Sequence, residues 1–365
     1  MSPTSPAIHL LDGGLGTLLT DTYNITFDAS TPLWSSHLLL TSSGRETLLC
    51  AHRTFVDAGA DVVLSATYQV SFRGFGVIDE GIGRRGEAEG LMRRGVGIAG
   101  ASFGGGSSRG RGKVALSLGA YGATMVPGAE YSGVYDEGFR SVVQLGEWHA
   151  ERIRVFGCGG GNGGGSGSGE EGDENEKEKR ECWDMVDFVA FETIPRLEEV
   201  LAVRGVMDKL PQGMERDYWI SCVFPGEGNR LPDGSTIREV VGAMLGGERR
   251  RPRGVGMNCT RVGKVEGLVR EFEDAVCELG LSGEVALVMY PDGTRGEVYN
   301  TSTQEWEKIE GVEESEVPWD EMVFGNVKRA RDRGVWKEIF VGGCCKTTPD
   351  HIAKLRKRID EIDDV

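Results

Sequence analysis

The sequence predicts an α/β protein built as one (β/α)8 barrel (a TIM barrel), a single domain spanning residues 1–365. Short apolar runs rich in β-branched residues alternate with amphipathic stretches of helical spacing, and this alternation occurs eight times. A barrel of eight such units needs about 250 residues, so the chain leaves room for insertions. An open, doubly wound sheet is the alternative, but it seldom reaches eight repeated units without a domain break.

The eight predicted strands are apolar runs bounded by glycine or polar residues. They cover 8–16, 61–70, 113–122, 187–195, 218–225, 254–260, 284–293 and 339–345. The helices predicted to follow them cover 45–59, 87–99, 135–156, 196–210, 236–245, 264–279, part of 319–333, and 349–362. Their apolar residues recur every three or four positions, as Leu197, Val200 and Leu201 do, so each helix can bury one face against the sheet.

Two segments, 103–112 and 157–180, do not fit the repeat and are predicted to be low-complexity insertions within the domain. Both are rich in Gly and Ser or in charged residues, a composition that buries too little apolar surface to order the chain. Each lies between a helix and the following strand. We therefore expect them to be flexible and to lie at the end of the barrel away from the active site.

The charge balance excludes several classes of partner. The chain has 41 Lys and Arg against 57 Asp and Glu, a net charge of −16, which argues against nucleic acid or an anionic membrane as a partner. No run approaches the ~18 apolar residues of a membrane span. The first ten residues lack the basic and apolar regions of a signal peptide, so we expect a cytoplasmic location. The sequence does not indicate an oligomeric state.

Three cysteines are predicted to meet on one rim of the barrel. Cys259 lies at the end of the sixth predicted strand, and Cys344 and Cys345 end the eighth. In a barrel these carboxyl ends build the active site. Three thiolates that leave one position open are typical of a catalytic zinc site, because soft sulfur ligands favour zinc over magnesium or calcium. The alternative is that Cys344 and Cys345 are core residues or form a vicinal disulfide.

Two carboxylates end other strands on the same rim. Asp12, followed by Gly13 and Gly14, ends the first strand, and Glu192 ends the fourth. A carboxylate at an apolar strand end costs several kcal/mol without a partner, so each is expected to receive a cation, act as a base or form an internal salt bridge. The glycines do not form a dinucleotide-binding loop. The third glycine of that motif is missing, and Asp12 would repel a pyrophosphate.

The motifs at these strand ends resemble one known family. They are LDGGLGT, SATYQVS, SLGAYGATMVPGAEYSGVY, DFVAFETIP, GVGMNCT and VGGCCKTTPDHI. Together, the Asn-Cys and Gly-Gly-Cys-Cys elements form a specific signature, and the chain resembles the homocysteine S-methyltransferase family over nearly its whole length. It departs from the family in the two insertions and between residues 300 and 319. The GAEYSG element is most similar to the branch that uses S-methylmethionine or S-adenosylmethionine, and the betaine-using branch is less similar.

The resemblance implies a zinc-dependent enzyme that transfers a methyl group from a sulfonium donor to the thiol of L-homocysteine, forming methionine. It implies that Cys259, Cys344 and Cys345 hold the Zn²⁺ and that Asp12 and Glu192 receive the amino group of homocysteine. A bound zinc ion keeps the substrate thiol deprotonated and therefore nucleophilic.

Aromatic residues near the second and third strand ends are candidates for binding the donor. The faces of Tyr68, Tyr121 and Tyr131 could each attract a sulfonium by about 0.5–2 kcal/mol, and Glu130 could pair with a donor ammonium. The tyrosines could instead be loop anchors with hydrated hydroxyls. Betaine is also a methylated cation and stays an alternative donor. A non-enzymatic zinc- or thiol-sensing barrel is the alternative function, although it would not need Asp12 and Glu192 on the same rim.

Overall fold

Parallel strands form the central sheet of the protein, seen in a computed structural model that describes residues 5–28, 30–78, 85–104, 112–157, 170–294, 296–300, 303, 305–309 and 315–363. The strands are β1 (Ala7–Leu10), β2 (Val62–Leu64), β3 (Lys113–Gly119), β4 (Phe188–Ile194), β5 (Asp217–Cys222), β6 (Gly254–Arg261), β7 (Ala286–Asp292), β8 (Glu297–Asn300), β9 (Glu305–Lys308) and β10 (Glu338–Val341). The helices are α1 (Leu15–Asp21), α2 (Ser42–Asp57), α3 (Phe72–Ile78), α4 (Arg85–Ala101), α5 (Val142–Phe156), α6 (Glu170–Met185), α7 (Leu197–Asp208), α8 (Ile237–Leu245), α9 (Val265–Glu278), α10 (Trp319–Arg333) and α11 (Pro349–Asp363).

The sheet closes on itself as a barrel. Its eight strands run in the order β1-β10-β7-β6-β5-β4-β3-β2, and each strand pairs with its neighbours in parallel. A parallel bridge between Leu11 and Val62 joins the two ends. Next to it, the Asp12 N–H donates to the Val62 carbonyl (3.1 Å) and the Asp61 N–H to the Leu10 carbonyl (2.7 Å). The predicted (β/α)8 barrel is confirmed.

The strands bury both faces, which explains why they are continuous apolar runs in the sequence. Along β4, Phe188 and Ala190 belong to a cluster of strand residues that fills the barrel interior, whereas Val189 and Phe191 pack in the larger core beneath the helices. All seven residues of β4 and of β7 are buried. This alternation also decides which polar residues face inwards at the strand ends.

Local signals in the sequence explain several helix boundaries. α5 and α8 each begin with a capping box, formed by Ser141 with Gln144 and by Thr236 with Glu239. α10 ends at Gly334, whose φ of 67° lies in the left-handed region that glycine adopts without strain. Such signals let the sequence place these helices to within a few residues.

Part of one predicted insertion forms regular structure. Residues 170–180 were expected to be flexible, but they form most of α6, and this part of the prediction is corrected. The buried Arg93 of α4 donates to Asn175 Oδ1 (2.9 Å) and Glu178 Oε2 (3.0 Å), and Cys182 and Trp183 anchor the end of the helix in the core. The rest of the two insertions, residues 105–111 and 158–169, lies outside the described residues.

Charged side chains close the amino-terminal end of the barrel. Arg253 Nε lies 2.6 Å from Glu338 Oε1, and Arg253 Nη1 lies 2.6 Å from Asp217 Oδ2. His9 Nε2 lies 3.1 Å from the other oxygen of Glu338. Asp217 and Glu338 are the first residues of β5 and β10, and Arg253 directly precedes β6, so the network is at the end of the barrel opposite the candidate functional residues. Over the part of the chain described here, we find no helix with the length and apolar character needed to cross a bilayer.

Candidate active site

A cavity opens at the carboxyl ends of the barrel strands, where the candidate functional residues meet. The predicted site residues that line it are Asp12, Gly13, Gly14, Tyr68, Glu130, Tyr131, Glu192, Cys259, Cys344 and Cys345. They come from the ends of six barrel strands, or from the loops that follow them, and these strands are distant in the sequence. Of the predicted set, only Tyr121 is missing from the cavity wall.

The three cysteines form one cluster. The sulfur atoms of Cys259, Cys344 and Cys345 all lie within 4.8 Å of one another. Cys259 and Cys344 are joined by a disulfide bond, and Cys345 is free. The bond in this structure therefore runs between two strands, not between the vicinal cysteines. Burial raises the pKa of the Cys345 thiol to about 12, and the negative charges of Asp292 and Glu130 also raise it.

An irregular backbone turns Cys259 into the cavity. The neighbouring Met257 packs outwards in the core beneath the helices, so regular alternation would also point Cys259 outwards. Instead, Cys259 has a φ of 45°, and the pairing of β6 with β7 shifts register between Asn258 and Arg261. This strained conformation, unusual for a residue other than glycine, places the sulfur beside those of the loop after β10.

The end of β4 is irregular in the same way as the end of β6, and Asn258 joins these two strand ends. Thr193 has a φ of 58°, and the register of β4 with β5 shifts between Phe191 and Ile194. The Thr193 N–H donates to Asn258 Oδ1 (2.7 Å), and Asn258 Nδ2 donates to Thr193 Oγ1 (2.8 Å). Asn258 thereby ties the segment that carries Glu192 to the segment that carries Cys259. The sequence showed Asn258 and Thr193 at strand ends, but not this role.

Glycines let the loop after β1 lie directly against the cysteine loop. A Cβ on Gly14 would lie 2.4 Å from the Cys344 carbonyl oxygen, so no side chain fits there. The Gly14 N–H donates to Thr347 Oγ1 (2.9 Å), and the Gly343 N–H donates to the Asp12 carbonyl (3.0 Å). Close approach of the two loops thus positions both Asp12 and Cys344.

Three buried carboxyl groups face the cavity without a cationic partner. Asp12 accepts the Leu64 N–H (3.0 Å), whereas Glu192 Oε1 and Glu130 Oε2 have no hydrogen-bond partner among the described residues. No ion pair joins any of the three to a Lys, Arg or His in the described ranges. The internal salt bridge considered for Asp12 and Glu192 is therefore not seen.

Burial governs the titration of these three groups. It raises the pKa of Glu192 and that of Glu130 each to about 7. It also raises the pKa of Asp12 well above its usual value, and the neighbouring charge of Glu192 adds to the effect. Each group would be stabilised in its ionised form by a bound cation.

The ionisable Asp and Glu side chains on the cavity wall face no basic residue among those described there. Asp12, Asp28, Glu130 and Glu192 line the cavity, and its described wall contains no Lys, Arg or His. Such a wall favours cationic ligands and offers no ion-pair partner to an anionic group.

The predicted tyrosines divide into two groups. Tyr68 and Tyr131 line the cavity as predicted. Tyr121 does not line it, so the prediction that it faces the donor is corrected. β3 ends at Gly119, and the short turn that follows directs the Tyr121 ring away from the cavity. The ring stacks on Phe139 at 4.1 Å between centroids, and its hydroxyl donates to Asp136 (3.1 Å). Tyr121 is thus a loop anchor, the alternative that the sequence left open.

A buried carboxylate behind the cavity holds the loop that carries Glu130 and Tyr131. Glu199 accepts the backbone N–H of Tyr121 (2.7 Å) at one end of this loop and the hydroxyl of Tyr135 (2.5 Å) at the other. It also lies 2.9 Å from His149 Nε2. Sequence reasoning missed Glu199, because it appeared only as one acidic residue in the first turn of a helix.

The sequence profile of the homocysteine S-methyltransferase family matches residues 9–359. The chain belongs to this family. The match spans every barrel strand from β2 to β10 and all the cavity residues, and it confirms the family that the sequence motifs indicated.

Relatives and solved structures agree with membership of the homocysteine S-methyltransferase family. Homocysteine S-methyltransferase 2 of Arabidopsis thaliana is 29% identical, over 96% of this chain and 92% of the relative. Selenocysteine Se-methyltransferase of Brassica oleracea var. italica is 28% identical, over 96% of this chain and 88% of that relative. The metallated and oxidized forms of the homocysteine methyltransferase MmuM from Escherichia coli superpose with TM-scores of 0.67 and 0.68, at 23% identity and 96% coverage of both chains. These structures show the shared fold.

Proposed function

We propose that this protein transfers a methyl group from a sulfonium donor to the thiol of L-homocysteine, forming methionine, with Zn²⁺ held by Cys259, Cys344 and Cys345. One observation carries the proposal: a three-cysteine cluster and three buried carboxyl groups without counter-ions face the same cavity. Membership of the homocysteine S-methyltransferase family supports it.

The cysteine cluster fits the proposed metal. Zinc–sulfur bonds of about 2.3 Å in a tetrahedral site put the sulfurs about 3.8 Å apart. The three sulfurs already lie within 4.8 Å of one another, so small side-chain rotations suffice. Binding requires reduction of the Cys259–Cys344 disulfide, because the metal ligand is the thiolate. When bound, zinc supplies Lewis acidity that keeps the homocysteine sulfur deprotonated, and the three ligands leave one position for it.

The carboxylates supply the receptor for the amino group. An ammonium placed at Asp12 and Glu192 would satisfy the unpartnered Glu192 oxygen and stabilise both groups in their ionised forms. Glu130, also unpartnered, lies on the same wall and is available to a second ammonium, such as that of the donor. Anchoring the amino group fixes the direction in which the substrate sulfur points towards the cysteines.

The charge of the cavity supports a sulfonium donor. S-Methylmethionine and S-adenosylmethionine carry a sulfonium and an ammonium against one carboxylate, so both are net positive. Betaine has one cation and one carboxylate and is net neutral, so a wall with acidic groups and no Lys, Arg or His among its described residues attracts it less strongly. The methyl group passes to the homocysteine thiolate and the rest of the donor departs as a neutral thioether, so the protein needs no acid to assist departure.

The test is detection of methionine by mass spectrometry after reduced, zinc-loaded protein is incubated with homocysteine and each donor in turn. We expect turnover with S-methylmethionine and slower turnover with S-adenosylmethionine. The kcat/KM for betaine should be about tenfold lower than that for S-methylmethionine, or ~1.4 kcal/mol in transition-state stabilisation. Equal or faster turnover with betaine would overturn the donor assignment. Bound zinc without methyl transfer from any donor would favour the alternative of a zinc- or thiol-sensing barrel.

A further inference from the structure

A small hairpin stands beside the cavity and is separate from the barrel sheet. β8 and β9 form a two-stranded antiparallel sheet in which Tyr299 lies directly opposite Trp306. The two rings contact each other, with centroids 5.2 Å apart, and both line the cavity. This region overlaps the stretch that departs from the family's sequence pattern, and neither aromatic residue was predicted to have a role.

Among the described residues, an aromatic contact and a cation–π contact link the hairpin to the barrel. An isolated two-stranded hairpin is marginally stable in water, so its position depends on what its side chains touch. Tyr299 packs against Trp34, with centroids 5.7 Å apart, and Lys346 Nζ lies 5.2 Å from the centre of the Trp306 ring. The same contacts that seat the hairpin therefore place its two rings at the cavity.

The two rings lie next to the reacting end of the cavity. Tyr299 and Trp306 also line a smaller side cavity together with Cys259 and Cys345, so they border the cysteine cluster from two sides. Asp12 and Glu192, in contrast, lie at the ends of β1 and β4 and do not line this side cavity.

This placement separates the two substrates. Homocysteine would extend from the cysteines, where its sulfur binds, to Asp12 and Glu192, where its ammonium binds. The donor must bring its methyl group to that sulfur through the remaining space, which Tyr299 and Trp306 border. Both residues are partly exposed and both line the cavity, so part of each ring is accessible to a ligand there. The contact of Lys346 with Trp306 shows that this ring already accepts a cation on its face.

We propose that Tyr299 and Trp306 form the donor-selecting wall of the active site, contacting the sulfonium donor and not homocysteine. The proposal rests on the proposed function, because it presumes a cationic methyl donor. An aromatic face attracts a sulfonium through its quadrupole, and a branched aliphatic side chain of comparable reach does not. The wall therefore recognises the charge of the donor as well as its shape.

The test measures steady-state kinetics for Trp306→Leu, Trp306→Phe and Tyr299→Leu with homocysteine and S-methylmethionine. We expect Trp306→Leu and Tyr299→Leu each to raise the KM for the donor by about tenfold, while the KM for homocysteine stays within about twofold. Trp306→Phe, which retains an aromatic face, should restore most of the donor affinity. Lys308→Ala is the control, since Lys308 is exposed on β9 of the same hairpin and lines neither of the two cavities.

The outcomes separate this inference from the proposed function. If the wild-type protein methylates homocysteine but the leucine variants leave the donor KM unchanged, or raise both KM values equally, the donor-selecting role is wrong and the function stands. The donor-selecting role is also wrong if Trp306→Phe is as impaired as Trp306→Leu. If the wild-type protein uses no sulfonium donor, the proposed function and this inference fall together.

Discussion

Single buried carboxyl groups illustrate a conflict between stability and binding in this protein. Glu192 sits among apolar strand residues because the alternation along β4 points it into the barrel with Phe188 and Ala190. Its unpartnered oxygen is costly to bury and would gain a partner if the proposed substrate ammonium binds there. Active sites commonly give up stability in this way.

The stability of the metal-free, substrate-free protein should fall as Glu192 ionises. Its pKa is raised to about 7 from a usual value of 4.5, so the folded state holds the proton more tightly than the unfolded state. The stabilisation is complete below pH 4.5 and is lost as the pH rises through 7, an effect of about 3 kcal/mol at 1.36 kcal/mol per unit. Glu192→Gln should reduce this dependence in urea unfolding at pH 5 and pH 8, while the part that comes from Glu130 and Asp12 remains. The exposed Glu46→Gln is the control, and an unchanged pH dependence in Glu192→Gln would contradict the assignment.

The same substitution should weaken homocysteine binding. Glu192→Gln keeps the shape but removes the charge that would pair with the ammonium, so the binding free energy should fall by about 1.5–3 kcal/mol. Zinc content should not change, because Glu192 is not a member of the cysteine cluster. Calorimetric titration with homocysteine and metal analysis measure the two quantities. Loss of zinc with normal homocysteine binding would mean that the two roles are reversed.

Each cysteine of the cluster should be needed for zinc. We expect the reduced wild-type protein to hold one zinc per chain, and Cys345→Ser to lose most of the zinc and nearly all activity while remaining folded, because a neutral hydroxyl replaces a thiolate ligand. Cys277→Ser is the control, since Cys277 is an exposed free cysteine outside the cluster. Full zinc content and activity in Cys345→Ser, measured by mass spectrometry of the metal and by turnover, would disprove the ligand set.

At the scale of elements, the site depends on loops that hold one another. The loop after β1 and the loop after β10 meet through Gly14 and Thr347, and the bulged ends of β4 and β6 meet through Asn258. Behind them, Glu199 holds both ends of the loop that carries Glu130. The strands bring these loops to one rim, but the contacts between loops decide the positions of the functional groups.

Gly14→Ala tests the contact between two of these loops. The new methyl group would lie 2.4 Å from the Cys344 carbonyl oxygen, so the cysteine loop must shift. Overpacking of this kind costs about 1–3 kcal/mol, and we expect weaker zinc binding as well as a lower free energy of unfolding. Gly242→Ala in α8 is the control, because its Cβ would meet nothing within 4 Å. Wild-type zinc affinity in Gly14→Ala, by competition with a chelator, would show that the loop contact does not position Cys344.

At the scale of the whole molecule, the two ends of the barrel divide stability from function. The amino-terminal end is closed by the network of Arg253, Glu338, Asp217 and His9, and the cysteines and the carboxyl groups without a cationic partner lie at the other end. The barrel cores between them are continuous apolar layers. Acidic side chains are therefore paired with cations at the amino-terminal end and left without cationic partners at the end that carries the candidate active site.

Glu338→Gln should lower stability without changing catalysis. It removes the charge that receives Arg253 and His9, at a cost of about 1.5–3 kcal/mol in the free energy of unfolding. Because the network lies at the opposite end of the barrel, kcat/KM for homocysteine at a temperature below the transition should stay the same. Urea unfolding and steady-state kinetics measure the two effects. A reduced kcat/KM in fully folded protein would contradict the separation of stability and function between the two ends of the barrel.

The sequence by itself determined the barrel and the part of the site that follows directly from it. Parallel strands end on one rim, so knowing that Asp12, Glu192, Cys259, Cys344 and Cys345 lie at strand ends was enough to bring them to one cavity. The tertiary structure decided what depends on loops and on contacts distant in sequence. Tyr121 turned out to anchor a loop, residues 170–180 became a helix held by Arg93, and a hairpin brought Tyr299 and Trp306 to the cavity. The physical reason is that hydrophobic periodicity encodes the buried faces of strands and helices, whereas the direction of a loop side chain is set by packing partners far away in the sequence.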